Sequence, residues 1–183
     1  WDWTAVDLHP EAFRLARERT QPEIRPGDLT RLPFAEATFD EVVSADVMYH
    51  IADDTQALRE LMRVLRPGGI LVVNVPAYPW LWSYHDVAVE SQRRYRRREL
   101  TSKLRQTGLR VEQVTHWNLL LLPLIVVRRK WWPAPAAGSD VEAYSPGLNR
   151  LLKTLLRGET VLLRLCGGLP AGSSLLSVAQ KPA

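Results

Sequence analysis

An α/β fold built on a mostly parallel sheet is the fold class this sequence predicts, and three observations lead there. Short apolar runs alternate with amphipathic ones through roughly the first 118 residues. One run, residues 70–75, is apolar at nearly every position, as in strands buried on both faces. Strands alternating with helices imply parallel pairing through right-handed crossovers. With 183 residues and 46% hydrophobic content, the chain suffices for one domain with a substantial core.

Residues 3–6 are a short apolar stretch closed by Asp7, and Pro10 stands at a plausible first position of a helix over 10–19, with Phe13 and Ala16 inward. Residues 24–29 form a second short strand whose end holds Gly27 and Asp28. The third strand spans 39–45, with Val42 and Val43 as its buried pair. Asp53 or Asp54 can cap the next helix, where Ala57, Leu58, Leu61, Met62 and Leu65 recur at helical spacing. Pro67, Gly68 and Gly69 stop that helix ahead of the apolar strand. An aromatic and arginine-rich loop over 76–98 precedes a ten-residue helix ending at Gly108, and residues 110–116 alternate like a strand. Residues 120–168 then interrupt the alternation. This region holds most of an apolar segment over 119–127, a Pro/Ala/Gly/Ser stretch around 133–139 and a helix over 148–165. The last strand spans 174–179. The expected division is a core of 1–119 plus 169–183 with a helical insertion or lid at 120–168.

The net charge of +4 conceals two opposed halves. Residues 1–90 carry 8 Lys/Arg against 15 Asp/Glu, a net of −7, and residues 91–183 carry 16 against 5, a net of +11. The basic half can meet an anionic membrane surface or a phosphate, or it can simply be solvated charge. Nucleic acid is not an expected partner, because the arginines are not interleaved with stacking residues in any binding motif. Cys166 is the sole cysteine, which excludes an internal disulfide framework, and no Cys/His set has metal-ligand spacing, so no metal is expected. A reducing cytoplasm is the expected location. The first dozen residues show no signal-peptide pattern and no initiator methionine, so the amino terminus reads as cut.

A carboxylate at the carboxyl end of a strand can accept two hydrogen bonds from the hydroxyls of a ribose, which makes Asp7, with Leu8 beside it, a cofactor-binding candidate. Asp28 ends the next strand, where it can accept from an adenine amino group while Leu29 packs the ring. Each acid can equally be a turn residue. Asp46 follows the third strand on the same edge. His50 is the leading base, since a neutral imidazole can take a proton from an attacking hydroxyl; it can also cap the helix that follows. In the 76–98 loop, His85 beside Asp86 is the second base candidate, and Tyr84, Arg93, Arg94 and Tyr95 are candidates to hold an anionic substrate. The competing reading makes the tryptophans core staples and the arginines a solvated face. The run 118–127, interrupted by Pro123, is too short to span a bilayer, which needs roughly 20 apolar residues. Trp131 and Trp132 with Arg128, Arg129 and Lys130 have the composition of an interfacial anchor. The late helix sets Leu148, Leu151, Leu152, Leu155, Leu162 and Leu163 opposite Arg150, Lys153, Arg157 and Arg164, as a lid or membrane-resting element would.

From Thr4 to about Asn118 the sequence resembles the class I S-adenosylmethionine-dependent methyltransferases of the type 11 group. The matching pieces are AVDLHPEAFRLARER, GDLTRLPFAEATFDEVVSADVMYHI and LRELMRVLRPGGILVVNVP. The resemblance implies a Rossmann-like sheet with a final antiparallel strand and S-adenosylmethionine as cofactor. It implies a ribose role for Asp7, an adenine-side role for Asp28, a methionine-side role for Asp46 and a place at the reaction site for His50. The family begins with a strand and a glycine-rich G-x-G-x-G loop that these 183 residues do not contain, and that strand lies between those bearing Asp7 and Asp46. The implied protein is therefore a truncated methyltransferase, acting on a small or lipid-linked acceptor, whose fragment binds cofactor weakly or not at all and is itself inactive. Two other readings stand beside it: a non-catalytic peripheral module on anionic lipid, and a nicotinamide-dependent dehydrogenase fragment, against which LRPGG and Asp28 argue.

Overall fold

The computed structural model describes residues 2–8, 23–131 and 145–183. The predicted helix over 10–19, Trp132 and the stretch around 133–139 lie outside the described residues. The strands are β1 (Thr4–Asp7), β2 (Glu23–Pro26), β3 (Phe39–Ala45), β4 (Leu65–Pro76), β5 (Arg110–Trp117) and β6 (Ser174–Gln180). The helices are α1 (Asp54–Val64), α2 (Tyr84–Ala88), α3 (Arg97–Gln106), α4 (Leu122–Lys130) and α5 (Pro146–Cys166), with single 3-10 turns at Met48–His50 and Pro79–Leu81. The fold is the expected mixed α/β, Rossmann-like one.

Among the described residues the strands form two sheets. β1 and β2 pair in parallel; the second sheet runs β3-β4-β6-β5, with β3 and β4 parallel and β6 antiparallel to both neighbours. The antiparallel final strand is as the resemblance implied. β3 stands at an edge of its sheet.

α1 packs on β4 and α3 on β5, both against the larger sheet. Their side chains Leu58, Leu61, Leu100 and Leu104 meet Leu71, Val73, Val75, Leu175 and Ala179 in one core. Alternate residues of β4 therefore differ in burial: Leu71, Val73 and Val75 are buried, Ile70, Val72 and Asn74 only half so. The expectation of a strand buried on both faces is corrected here, because both helices cover the same face. Val43 is corrected likewise: it is 54% exposed on the other face, while Val42 packs against the core.

Asp53 caps α1, its Oδ1 accepting the Gln56 N–H at 2.9 Å. The helix ends at Val64, and Arg66 to Gly69 bulge between the Phe39–Leu65 and Glu41–Ile70 pairs. Gly68 has φ 79°, where a side chain is strained. At Gly69 a Cβ would lie 2.9 Å from the carbonyl oxygens of Asp40 and Arg66. The Lys181 backbone closes the bulge, accepting from Gly68 and donating to Gly69, both at 2.9 Å.

Between β5 and β6, none of the nine residues of α4 is buried. Among the described side chains of α5 only Glu159 is fully buried, with Oε2 accepting the Leu120 N–H at 3.1 Å. No helix of the described residues is long and apolar enough to cross a membrane.

Candidate active site

β6 is antiparallel to both β4 and β5, and β3 is parallel to β4, so β3, β4 and β5 share one carboxyl edge. Within the described residues the backbone leaves that edge through left-handed residues that are not glycine: Asp46 (φ 54°), Tyr78 (φ 61°) and Asn118 (φ 64°). Each such residue costs on the order of 1–3 kcal/mol, and strain of this kind concentrates at functional sites.

Asp46 is held there by β4. Its N–H donates to the Asn74 carbonyl at 3.1 Å, and Asn74 Nδ2 donates to both carboxylate oxygens at 3.0 Å. Partial desolvation pushes the Asp46 carboxyl above the usual carboxylate range, opposed by the Asn74 hydrogen bond and by the charge of His50. His50 ends the 3-10 turn, exposed, its ring 4.1 Å from that of Tyr49 and its Nδ1 3.5 Å from the Glu90 carbonyl oxygen. Met48 anchors the turn in the core. The Tyr49 phenol is pushed up by burial first, then by the negative charges of Asp46 and Asp86. Asp46, Tyr49, His50 and Asn74 thus form one constellation. Asp53, not His50, caps α1.

Asp7 and Leu8 are exposed where β1 ends, and the Asp7 carbonyl accepts the Gly27 N–H at 3.0 Å, which ties them to the Asp28 turn. β2 stops at Pro26, three residues short of the expected end. Asp28 lies beyond it in a turn where its Oδ1 accepts the Thr30 N–H at 2.8 Å, and Leu29 packs against the core. The turn role foreseen for Asp28 is therefore present alongside its exposure.

The 76–98 loop is organised by buried charge. Arg94 is buried, its Nε donating to Asp86 Oδ1 at 2.6 Å and its Nη1 to the Ala77 carbonyl at 3.0 Å. Asp86 Oδ2 accepts from the N–H and the hydroxyl of Ser83. Tyr95 is fully buried and donates to Asp54 Oδ2 at 2.8 Å; Lys103 (2.8 Å) and Arg93 (3.2 Å) pair with the same carboxylate. Burial alone would raise the Asp54 carboxyl, but the hydrogen bonds from Lys103 and Tyr95 and the Arg93 charge hold it below its ordinary range.

Three expectations change accordingly. Arg94 and Tyr95 face the interior rather than an acceptor, because each completes a buried carboxylate pair. Arg93 is half-buried and committed to Asp54. The oxygens of Asp86, expected to orient His85, are engaged by Arg94 and Ser83; His85 sits half-buried in α2. Tyr84 lies under the Arg128 guanidinium, 5.8 Å from its ring centroid. Asn74 was missed by sequence reasoning, although it is the one polar residue in the run ILVVNVP. Asp54 was seen only as a cap.

S-adenosylmethionine, the cofactor the resemblance implies, needs acceptors for a ribose diol, an adenine amine and an α-ammonium group. The exposed carboxylates of Asp7, Asp28 and Asp46 at strand ends are acceptors of that kind, so the residues present fit it. Among the described residues no group of His, Cys, Asp and Glu could hold a metal ion.

Residues 1–73 match the model of a methyltransferase domain family. A probable S-adenosylmethionine-dependent methyltransferase of Mycolicibacterium smegmatis is 36% identical over 92 residues, 49% of this chain and 36% of that protein. The demethylmenaquinone methyltransferase of Mycolicibacterium paratuberculosis is 53% identical over 69 residues, 38% of this chain and 30% of that protein. The chain thus spans about a third of the length of these curated relatives. Among solved structures, the S-adenosylmethionine-dependent methyltransferase of Mesorhizobium loti superposes with a TM-score of 0.61 at 14% identity, over 97% of this chain and 79% of that one. The amino-terminal part of the chain is thus similar to S-adenosylmethionine-dependent methyltransferases, and its fold is the Rossmann-like one of the solved methyltransferase structure.

Proposed function

We propose that the chain, when completed by a glycine-rich segment, transfers a methyl group from S-adenosylmethionine to a small, lipid-linked acceptor at the cytoplasmic face of a membrane. The observation that carries this reading is Asp46, held in a left-handed turn by Asn74 beside His50 on the carboxyl edge of the sheet. Bound there, the cofactor supplies an already activated methyl. Asp7 and Asp28 accept from its nucleoside, and Asp46 accepts from its methionine part. His50 Nε2 takes the proton from the acceptor hydroxyl. Positioning supplies most of the acceleration, since in-line displacement needs alignment more than acid or base. The lipid-linked acceptor rests on the stretch shared with a demethylmenaquinone methyltransferase and on the basic carboxyl-terminal half.

The 183 residues contain no G-x-G-x-G segment to bring backbone N–H groups to the cofactor. Calorimetric titration of this chain with S-adenosylmethionine is expected to show weak binding without turnover. Fusing a strand and G-x-G-x-G loop of the kind the family resemblance implies ahead of Trp1 is expected to tighten binding and allow turnover. Micromolar affinity of the unfused chain would overturn the weak-binding expectation, and no gain on fusion would overturn the cofactor assignment. In the fused enzyme, His50→Ala should lower turnover by about 10²-fold or more with cofactor affinity unchanged. Unchanged turnover would remove His50 as the base.

A further inference from the structure

Two segments far apart in sequence form one apolar surface beside the candidate site. α4 packs on the 3-10 turn Pro79–Leu81, Lys130 Nζ donates to the Trp82 carbonyl at 3.0 Å, and Arg128 lies over Tyr84. On the outside of this assembly Trp80 (54%), Leu124 (60%) and Trp131 (77%) are exposed, and so are Trp82 and Val127. None of the nine residues of this helix is fully buried.

We infer that this surface docks on an anionic lipid bilayer, with α4 and the Pro79–Leu81 turn at the headgroup boundary. Charge and composition select that occupant. Arg128, Arg129 and Lys130 make up the last turn of α4, and residues 113–139 contain no Asp or Glu. Indole rings next to a cationic cluster suit the interface between headgroups and acyl chains, where a ring buries its body and keeps its N–H wet. An acidic protein partner would match the positive charge but has no special use for three exposed tryptophans.

The position gives the surface its use, and here the inference rests on the proposed methyl transfer. The Pro79–Leu81 turn leaves β4 two residues after its carboxyl end, and Trp80 lies 5.6 Å from the Tyr78 ring. Asn74, which holds Asp46, lies on the same strand. A lipid-linked acceptor can therefore present its head to the Asp46 and His50 edge while its tail stays in the bilayer.

The test is flotation of the 183-residue chain with phosphatidylcholine vesicles, with and without phosphatidylglycerol, reading partition and tryptophan quenching by brominated lipid. The chain should float only with anionic vesicles, and raised salt should release it. Each neutralised cation is expected to lower partition about fivefold, so R128Q/R129Q/K130Q together should lower it roughly hundredfold. Leu124→Asp and Trp131→Ser should abolish quenching, whereas Leu165→Ser on α5, also exposed, should leave partition unchanged. All substituted residues are on the surface, and an unchanged circular dichroism spectrum confirms that the variants fold. Equal flotation with neutral vesicles, no flotation at all, or an unaffected triple variant would refute the inference. So would a self-associated chain, seen by sedimentation velocity, that Leu124→Asp dissociates. Cofactor titration of the fused chain, without vesicles, separates the two ideas: flotation without cofactor binding by the fused chain refutes the methyltransferase reading alone, and cofactor binding without flotation refutes the surface alone.

Discussion

Replacing Asp86 by asparagine tests the claim that buried charge, and not a substrate clamp, organises the 76–98 loop. Both side chains of the Asp86–Arg94 pair are 2% exposed, and their contact is 2.6 Å. The asparagine amide would keep an acceptor for Ser83 but leave the Arg94 guanidinium without a counter-charge, holding only the Ala77 carbonyl. Breaking a buried pair from one side costs about 3–5 kcal/mol, and the retained Ser83 contact places this variant near the lower end. For a chain of this size each kcal/mol lowers Tm by about 2–4 °C, so Asp86→Asn should melt about 6–12 °C lower. Arg94→Met leaves the carboxylate buried but still bonded to Ser83, and should cost less. The double variant removes both charges and should be more stable than the sum of the single effects by about 1–3 kcal/mol. Thermal and urea unfolding of the four proteins, followed by circular dichroism, gives the cycle. A change below about 0.5 kcal/mol for Asp86→Asn, as at an exposed site, or strictly additive single effects, would refute the reasoning.

Asp54 is held below its ordinary range, so it contributes stability that is complete above about pH 4 and is lost as pH falls through its folded value. Asp54→Asn should lower stability at neutral pH and flatten the acid limb of the stability profile; an acid limb identical to that of the wild type would sink this. Gly69→Ala places a methyl 2.9 Å from two backbone oxygens and should cost about 1–3 kcal/mol in urea unfolding, against no measurable effect if the bulge can open. Asn74→Ala removes both bonds to the Asp46 carboxylate and should weaken cofactor binding in the fused enzyme more than it weakens the fold, measured by calorimetry beside thermal melts.

Much of the framework was legible because local chemistry and tertiary demand agree in it. The α1 stripe reads inward wherever it is written, the cap at Asp53 needs only its own turn, and β5 and β6 fall within a residue or two of their predicted ends. The misses share a different cause. Arg93, Arg94 and Tyr95 look like an anion clamp in sequence, because their partners Asp54 and Asp86 sit at other positions in the chain and are equally plausible as surface residues. Asn74 is invisible as a functional residue until the adjoining strand brings Asp46 across from it.

The sequence by itself determined the α/β alternation, the acidic strand ends and the methyltransferase resemblance, because periodicity, punctuating residues and short motifs are local properties of a chain. Only the tertiary structure decided which acids stay exposed and which are spent inside the fold. A carboxylate's role depends on the cation that reaches it, and that cation arrives from elsewhere in the chain. The same holds for the exposed tryptophans: Trp80 and Trp131 became one surface only when α4 was laid on the turn after β4.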